Sequence, residues 1–160
     1  MKLPKFLIAS LLPTLLWFAG CSATVQPPTA APTTAQSAIL TASAVEKAVA
    51  TNYVAAKTAV GALASNGIIT TAQGAKIDAW LDNVAHVNDE AIAATRAALA
   101  ANSSTTLAPI MQALAKVIGS ASPATFGITD PHSVAVYNAT VATLVGFAGV
   151  IAQDFGAVPA

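Results

Sequence analysis

Four side chains able to bind a metal ion or move a proton follow one another at intervals of four: Asp78, Asp82, His86 and Glu90. On an α-helix that interval places them on one face, where carboxylate oxygens and an imidazole nitrogen can meet a single cation. Asp82, His86 and Glu90 are the candidate ligands. The same spacing also describes the solvated face of an ordinary amphipathic helix. The His-Glu-x-x-His pattern of a zinc protease is absent, so the sequence assigns no metal site. The second histidine, His132, reads as a half-exposed side chain at a helix start. Two histidines and one cysteine are too few for a structural zinc site, a disulfide framework or an iron–sulfur cluster. No Gly-x-Ser-x-Gly elbow, phosphate loop or dinucleotide fingerprint occurs. The carboxylates needed for glycoside hydrolysis lie along one helix instead of across a cleft. The chain therefore reads as non-enzymatic, with no catalytic residue and no bound cofactor.

The composition agrees. Of 160 residues, 39 are alanine and 17 threonine, and only 9% are charged, with a net charge of zero. An ordinary globular protein has about 25% charged residues. Without a basic surface there is nothing to neutralise a phosphate backbone, which argues against a nucleic-acid partner.

The elements that would carry these residues are helices, and the expected fold class is all-α. Ala38, Ala42, Val45, Val49, Tyr53, Ala56, Val60 and Leu63 recur at spacings of three and four, the signature of one helix face. This predicts a helix over about 38–65, stopped by Asn66-Gly67. Thr70-Thr71-Ala72-Gln73 fits a capping box and opens a second helix over about 71–101. Its seam is Ile77, Trp80, Val84, Val87, Ala91, Ala94 and Ala98, flanked by Leu81, Ile92 and Leu99. Asp78, Asp82, His86, Asp89, Glu90 and Arg96 lie on the opposite arc. Thr106, with Pro109 in the first turn, opens a short helix over about 107–118. Asp130-Pro131 caps a fourth over about 131–155. Short connections favour an up-and-down bundle of three to four helices around a long alanine-rich antiparallel hairpin. The fourth helix has no charge between Asp130 and Asp154. It reads either as a buried bundle helix or, over residues 133–153, as a membrane-inserted one.

The amino terminus has a different organisation. Lys2 and Lys5 precede an uncharged apolar run from Phe6 to Phe18. The run is too short to span a bilayer, and its layout is that of an export signal. Ala19-Gly20 and then Cys21, the sole cysteine, follow. Phe18-Ala19-Gly20-Cys21 resembles the lipobox of bacterial lipoproteins. Phe18 stands where that family usually has leucine, and Pro13 interrupts the apolar run. The resemblance implies cleavage between Gly20 and Cys21, a diacylglycerol on the Cys21 thiol and an acyl chain on its new amino group. Several chains at one residue hold a protein firmly to a membrane. With Ser22 in place of aspartate after the cysteine, the resemblance implies the periplasmic face of the outer membrane. Residues 1–20 would be the signal peptide and residues 21–37 an acylated, Pro- and Thr-rich tether. Residues 38–160 would form the helical domain. The sixteen residues from 22 to 37 reach roughly 50 Å when extended. The mature chain would carry five basic and seven acidic side chains, a formal charge of −2.

The body resembles small alanine-rich helical lipoproteins of Gram-negative bacteria and of their phages and prophages. The Gly67-Ile68-Ile69-Thr70-Thr71-Ala72-Gln73 junction looks like hairpins found in such phage proteins. The first expectation is a lipid-anchored envelope protein that acts through contacts with another envelope protein or with itself. A phage role in lysis or in exclusion of competing phages is the second, with the fourth helix as a membrane-active element. A metal-binding or enzymatic role for the acidic face of the second helix is the third.

Overall fold

The computed structural model describes residues 34–156, which belong to one compact unit. Helix α1 spans Thr34–Ser65, α2 Thr71–Ala101, α3 Leu107–Gly119 and α4 Pro131–Phe155, with a 3-10 turn at Ala124–Phe126. The four helices form an all-α, up-and-down bundle. Each packs on its chain neighbour and α4 closes back on α1, while α1 and α3 barely touch across the diagonal. At 1.5 Å per residue, α1 and α2 are each roughly 45–50 Å long. Of the predicted tether 21–37, residues 21–33 and the predicted cleavage site at Gly20 and Cys21 lie outside the described residues, while residues 34–37 are helical and belong to α1.

Helix α1 begins four residues before the expected Ala38. Pro32 is the last helix breaker in this stretch. Ala35, Gln36 and Ala38 behind it favour the helix, so the helix runs back to Thr34. It ends as Gly67 requires. Gly67 has φ +70°, and the Ile68 and Gly67 amides donate to the Leu63 and Ala64 carbonyls at 3.0 and 3.1 Å. This is a Schellman closure, whose left-handed position glycine enters most easily. The capping box forms: the Gln73 amide donates to the Thr70 hydroxyl at 3.1 Å, and the Thr70 amide to the Gln73 side chain at 2.8 Å. Just inside α2, a β-carbon at Gly74 would stand 3.3 Å from the Ala64 β-carbon. The two helices therefore leave their turn at very close approach. Asn102, left-handed at φ 47°, ends α2 by the same closure onto Ala98 and Leu99.

The two remaining helix starts differ. Asp130 caps α4 through Oδ2, which accepts from the Ser133 amide at 2.8 Å, with Pro131 at the first helical position. Thr106 does not cap α3: its backbone is already helical and its side chain makes no capping bond. The Ser104 carbonyl, accepting from the Leu107 amide at 3.1 Å, makes the turn instead.

The core keeps most of the expected seams, including Val45 and Trp80, and adds polar residues to them. On α1 the positions alternating by three and four are Ile39, Ala42, Glu46, Val49, Tyr53, Ala56, Val60 and Leu63. All are buried except Tyr53, which is half-buried. On α2 they are Gly74, Ile77, Leu81, Val84, Asn88, Ala91, Thr95 and Ala98, all buried. Both follow the 3.5-residue period of a coiled-coil seam. Glu46, Asn88 and Thr95 thus lie inside, while Leu99, expected to flank the seam, is 66% exposed. Helix α4 buries Ser133, Tyr137, Val141, Leu144 and Ile151, and exposes the small residues Ala135, Ala139, Ala142 and Gly146. It is the one described helix long and apolar enough to cross a membrane, by length and composition only.

Candidate functional site

The acidic face predicted on α2 divides into two unrelated groups. Asp82 turns to α1, where it accepts from Lys57 Nζ at 2.5 Å and from the Tyr53 hydroxyl at 3.0 Å. Lys57 and then Tyr53 hold the Asp82 carboxyl below its ordinary range. The same pair, chiefly through Asp82, holds the Lys57 ammonium above its own. All of this is in solvent, where an ion pair adds little. His86 Nδ1 lies 3.6 Å from a Glu90 carboxylate oxygen, both side chains well exposed. Asp82 is thus committed to an interhelix pair and the His86–Glu90 contact is left alone. Among the described residues no group of three histidine, cysteine or acidic side chains is placed to hold a metal ion. His132, at the first turn of α4, is exposed.

The structure assembles a different polar group, one that the sequence reading missed. Glu46, on the α1 seam, is 4% exposed. Thr95 of α2 donates its hydroxyl to Glu46 Oε1 at 2.5 Å, and Asn88 Nδ2 donates to the Glu46 backbone carbonyl at 3.3 Å. Burial pushes the Glu46 carboxyl above its ordinary value, against the Thr95 hydrogen bond and the field of Arg96. Asn88 Oδ1 is buried without a partner. The period of the seam was the available signal. Leu81, Asn88 and Thr95 are seven residues apart, as are Ile39 and Glu46. Val45, which the apolar stripe passes through, is buried as well, and its neighbour Glu46 looks in the sequence like the polar edge of that stripe.

Glu46 also lines a groove of about 370 Å³ on the outer side of the hairpin. Ile39, Leu40, Ile92 and Leu99 supply its apolar walls, and Lys47 and Arg96 its basic rim. A second, smaller groove continues toward the turn end between Ala50, Val54, Ala85 and Asp89. No histidine or thiol stands in either. These grooves offer an apolar docking surface with charges at fixed heights.

The opposite side of the hairpin is core. Trp80, placed on the seam by the sequence, is buried and donates its indole N–H to the Val117 carbonyl at 2.8 Å. Its ring lies 6.0 Å from Phe126, which lies 5.6 Å from Tyr137. The Tyr137 hydroxyl is buried without a partner, and desolvation carries its ionisation far above the ordinary range. Comparison with known proteins finds no matching family model, no matching curated protein and no matching solved structure.

Proposed function

We propose that this chain is a lipid-anchored protein of the bacterial envelope that works without catalysis, through contacts made by its helices. The observation that carries the reading is the position of Cys21. The only thiol in 160 residues stands directly after Ala19-Gly20, at the end of a basic-then-apolar export segment. The tether behind it holds a helical body away from the lipid, and that body presents exposed leucines at Leu40 and Leu99. Diacylglycerol and an N-acyl chain on Cys21 are the lipid the reading requires, and the periplasmic face of the outer membrane is where it places the protein.

The test is metabolic labelling with palmitate in a Gram-negative host, followed by membrane fractionation. The parent chain should take up label and sediment with the outer membrane. Cys21→Ala should lose the label and appear in the soluble periplasmic fraction. A parent chain that stays unlabelled would sink the proposal.

A second reading rests on α4, whose most apolar stretch has a mean hydropathy of 1.8 and whose outer face is lined with small residues. In that reading the helix enters the bilayer. It would be supported by Cys21→Ala remaining in the membrane after carbonate extraction, and a phage role in lysis or exclusion would then gain weight.

A further inference from the structure

The open end of the α1–α2 hairpin, remote from the Gly67 turn, is held by small residues and one acid. Ala42, Ala91 and Ala98 fill its seam beside Ile39. Alanines remove little apolar surface from water. Thr95 and Asn88 of α2 both reach across to Glu46 of α1, and Asn88 Oδ1 is left buried and unmet. The turn end is tied more firmly. Trp80 donates to the Val117 carbonyl at 2.8 Å, the Gln73 side chain to the Gly127 carbonyl at 2.7 Å, and the Ser133 hydroxyl to the Ile68 carbonyl at 2.7 Å. Parts of one fold open with different free energies, and the weakly packed part opens first.

We propose that Glu46 is a proton-operated latch on the open end of the hairpin: protonated, it holds α1 to α2, and ionised, it lets the two helices part locally there while the turn end stays closed. A neutral carboxyl is satisfied in the seam by the Thr95 hydroxyl. A carboxylate in the same place has lost its water and keeps one neutral donor. The surrounding charges do not replace that water. Glu46 makes no ion pair among the described residues. Its neighbour Lys47 on α1 and Arg96 on α2 are exposed, at the rim of the groove that Glu46 lines. Asp89 of α2, also exposed, stands in the next groove. The one charge on α3 is the exposed Lys116, and α4 has none between Asp130 and Asp154. Parting the helices gives the carboxylate water and access to Lys47 and Arg96. Burial raises the Glu46 carboxyl above its ordinary 4.5, against the field of Arg96. The closed end therefore has its full stability below pH 4.5 and loses this contribution as pH rises through the closed-state value.

Hydrogen exchange of the full chain in mild detergent, read by mass spectrometry from pH 4.5 to 7.5, follows the two ends separately. Each rate is divided by that of an unstructured chain at the same pH. Protection over residues 39–49 and 88–98, relative to 56–63 and 77–84, should fall several-fold as pH rises. In Glu46→Gln, which cannot ionise, that ratio should stay level. The chain has two glutamates, Glu46 and Glu90, so carboxyl-13C glutamate NMR follows the acid itself. The exposed Glu90→Gln variant assigns the two signals even if Glu46→Gln fails to fold. The ratio should level off as the Glu46 signal completes its titration. A ratio independent of pH, an equal fall in Glu46→Gln, or a fall that does not track the Glu46 signal overturns the proposal. Equal loss of protection at both ends overturns it too, since the opening would then be global. None of these readings depends on acylation of Cys21.

Discussion

The two ends of the α1–α2 hairpin use the same helical period with opposite chemistry. At the turn end the seam holds Val60, Leu63, Ile77 and Trp80, and the Trp80–Phe126–Tyr137 ring cluster covers it. At the open end the equivalent positions hold Ala42, Glu46, Thr95 and Ala98. Burial contributes about 25 cal/mol per Å² of apolar surface, so large side chains at the turn end supply most of the stability. Alanines at the open end remove little surface from water, but they let the helices come close. There the buried Glu46–Thr95 pair acts on register. A carboxyl with one donor in the opposite helix is satisfied at one alignment, and sliding the helices leaves it buried and bare. One end holds the hairpin together and the other sets how it is aligned.

The sharpest way to break this contrast is Trp80→Ala. It empties a large core site and removes the indole donor to the Val117 carbonyl, which keeps Ser120, and should cost about 3–5 kcal/mol in urea unfolding. Thr95→Val keeps the shape and removes the donor to Glu46. It should cost about 1–3 kcal/mol, the usual penalty for a buried polar group left unpaired. If it costs as much as Trp80→Ala, the open end is not the weaker one. Thr70→Ala removes one half of the capping box and should cost about 1 kcal/mol, read as a shift of the urea midpoint at unchanged slope.

The smallest effect is a dependence on pH. Burial raises the Glu46 carboxyl above its unfolded value of 4.5, so the folded chain binds this proton more tightly. The resulting stability is complete below pH 4.5 and is lost as pH rises through the folded value. Glu46→Gln has no such proton and should lack the decline. The lowered Asp82 and Asp130 carboxyls work in the opposite direction. They are present in both proteins and drop out of the difference. Parent and variant unfolding curves that stay parallel between pH 4 and pH 7 would show that Glu46 is not desolvated.

Much of the fold was legible because its punctuation is local. Gly67, Thr70, Gln73, Asp130 and Pro131 act within four residues of themselves, and the structure uses each as its type suggests. The start of α1 and the cap of α3 were less legible. Helix propensity carries α1 back past the expected boundary, and Thr106 adopts a helical backbone that leaves its hydroxyl no amide to accept from. The candidate site was mostly not legible. Polar residues one position away from an apolar stripe look like its solvated edge. Whether Asn88 and Thr95 face water or Glu46 depends on a helix 40 to 50 residues away.

By itself the sequence determined the helices, most of their ends, the antiparallel hairpin and the singular position of Cys21. These follow from backbone geometry and side-chain chemistry within a few neighbours. Only the tertiary structure decided that Glu46 is buried, that Asp82 pairs with Lys57 instead of joining His86 and Glu90, and that Leu40 and Leu99 share an exposed groove. Each of those is a contact between residues far apart in the chain. An alanine-rich helix has several nearly equivalent faces, and only packing against the other helices selects which one is turned inward.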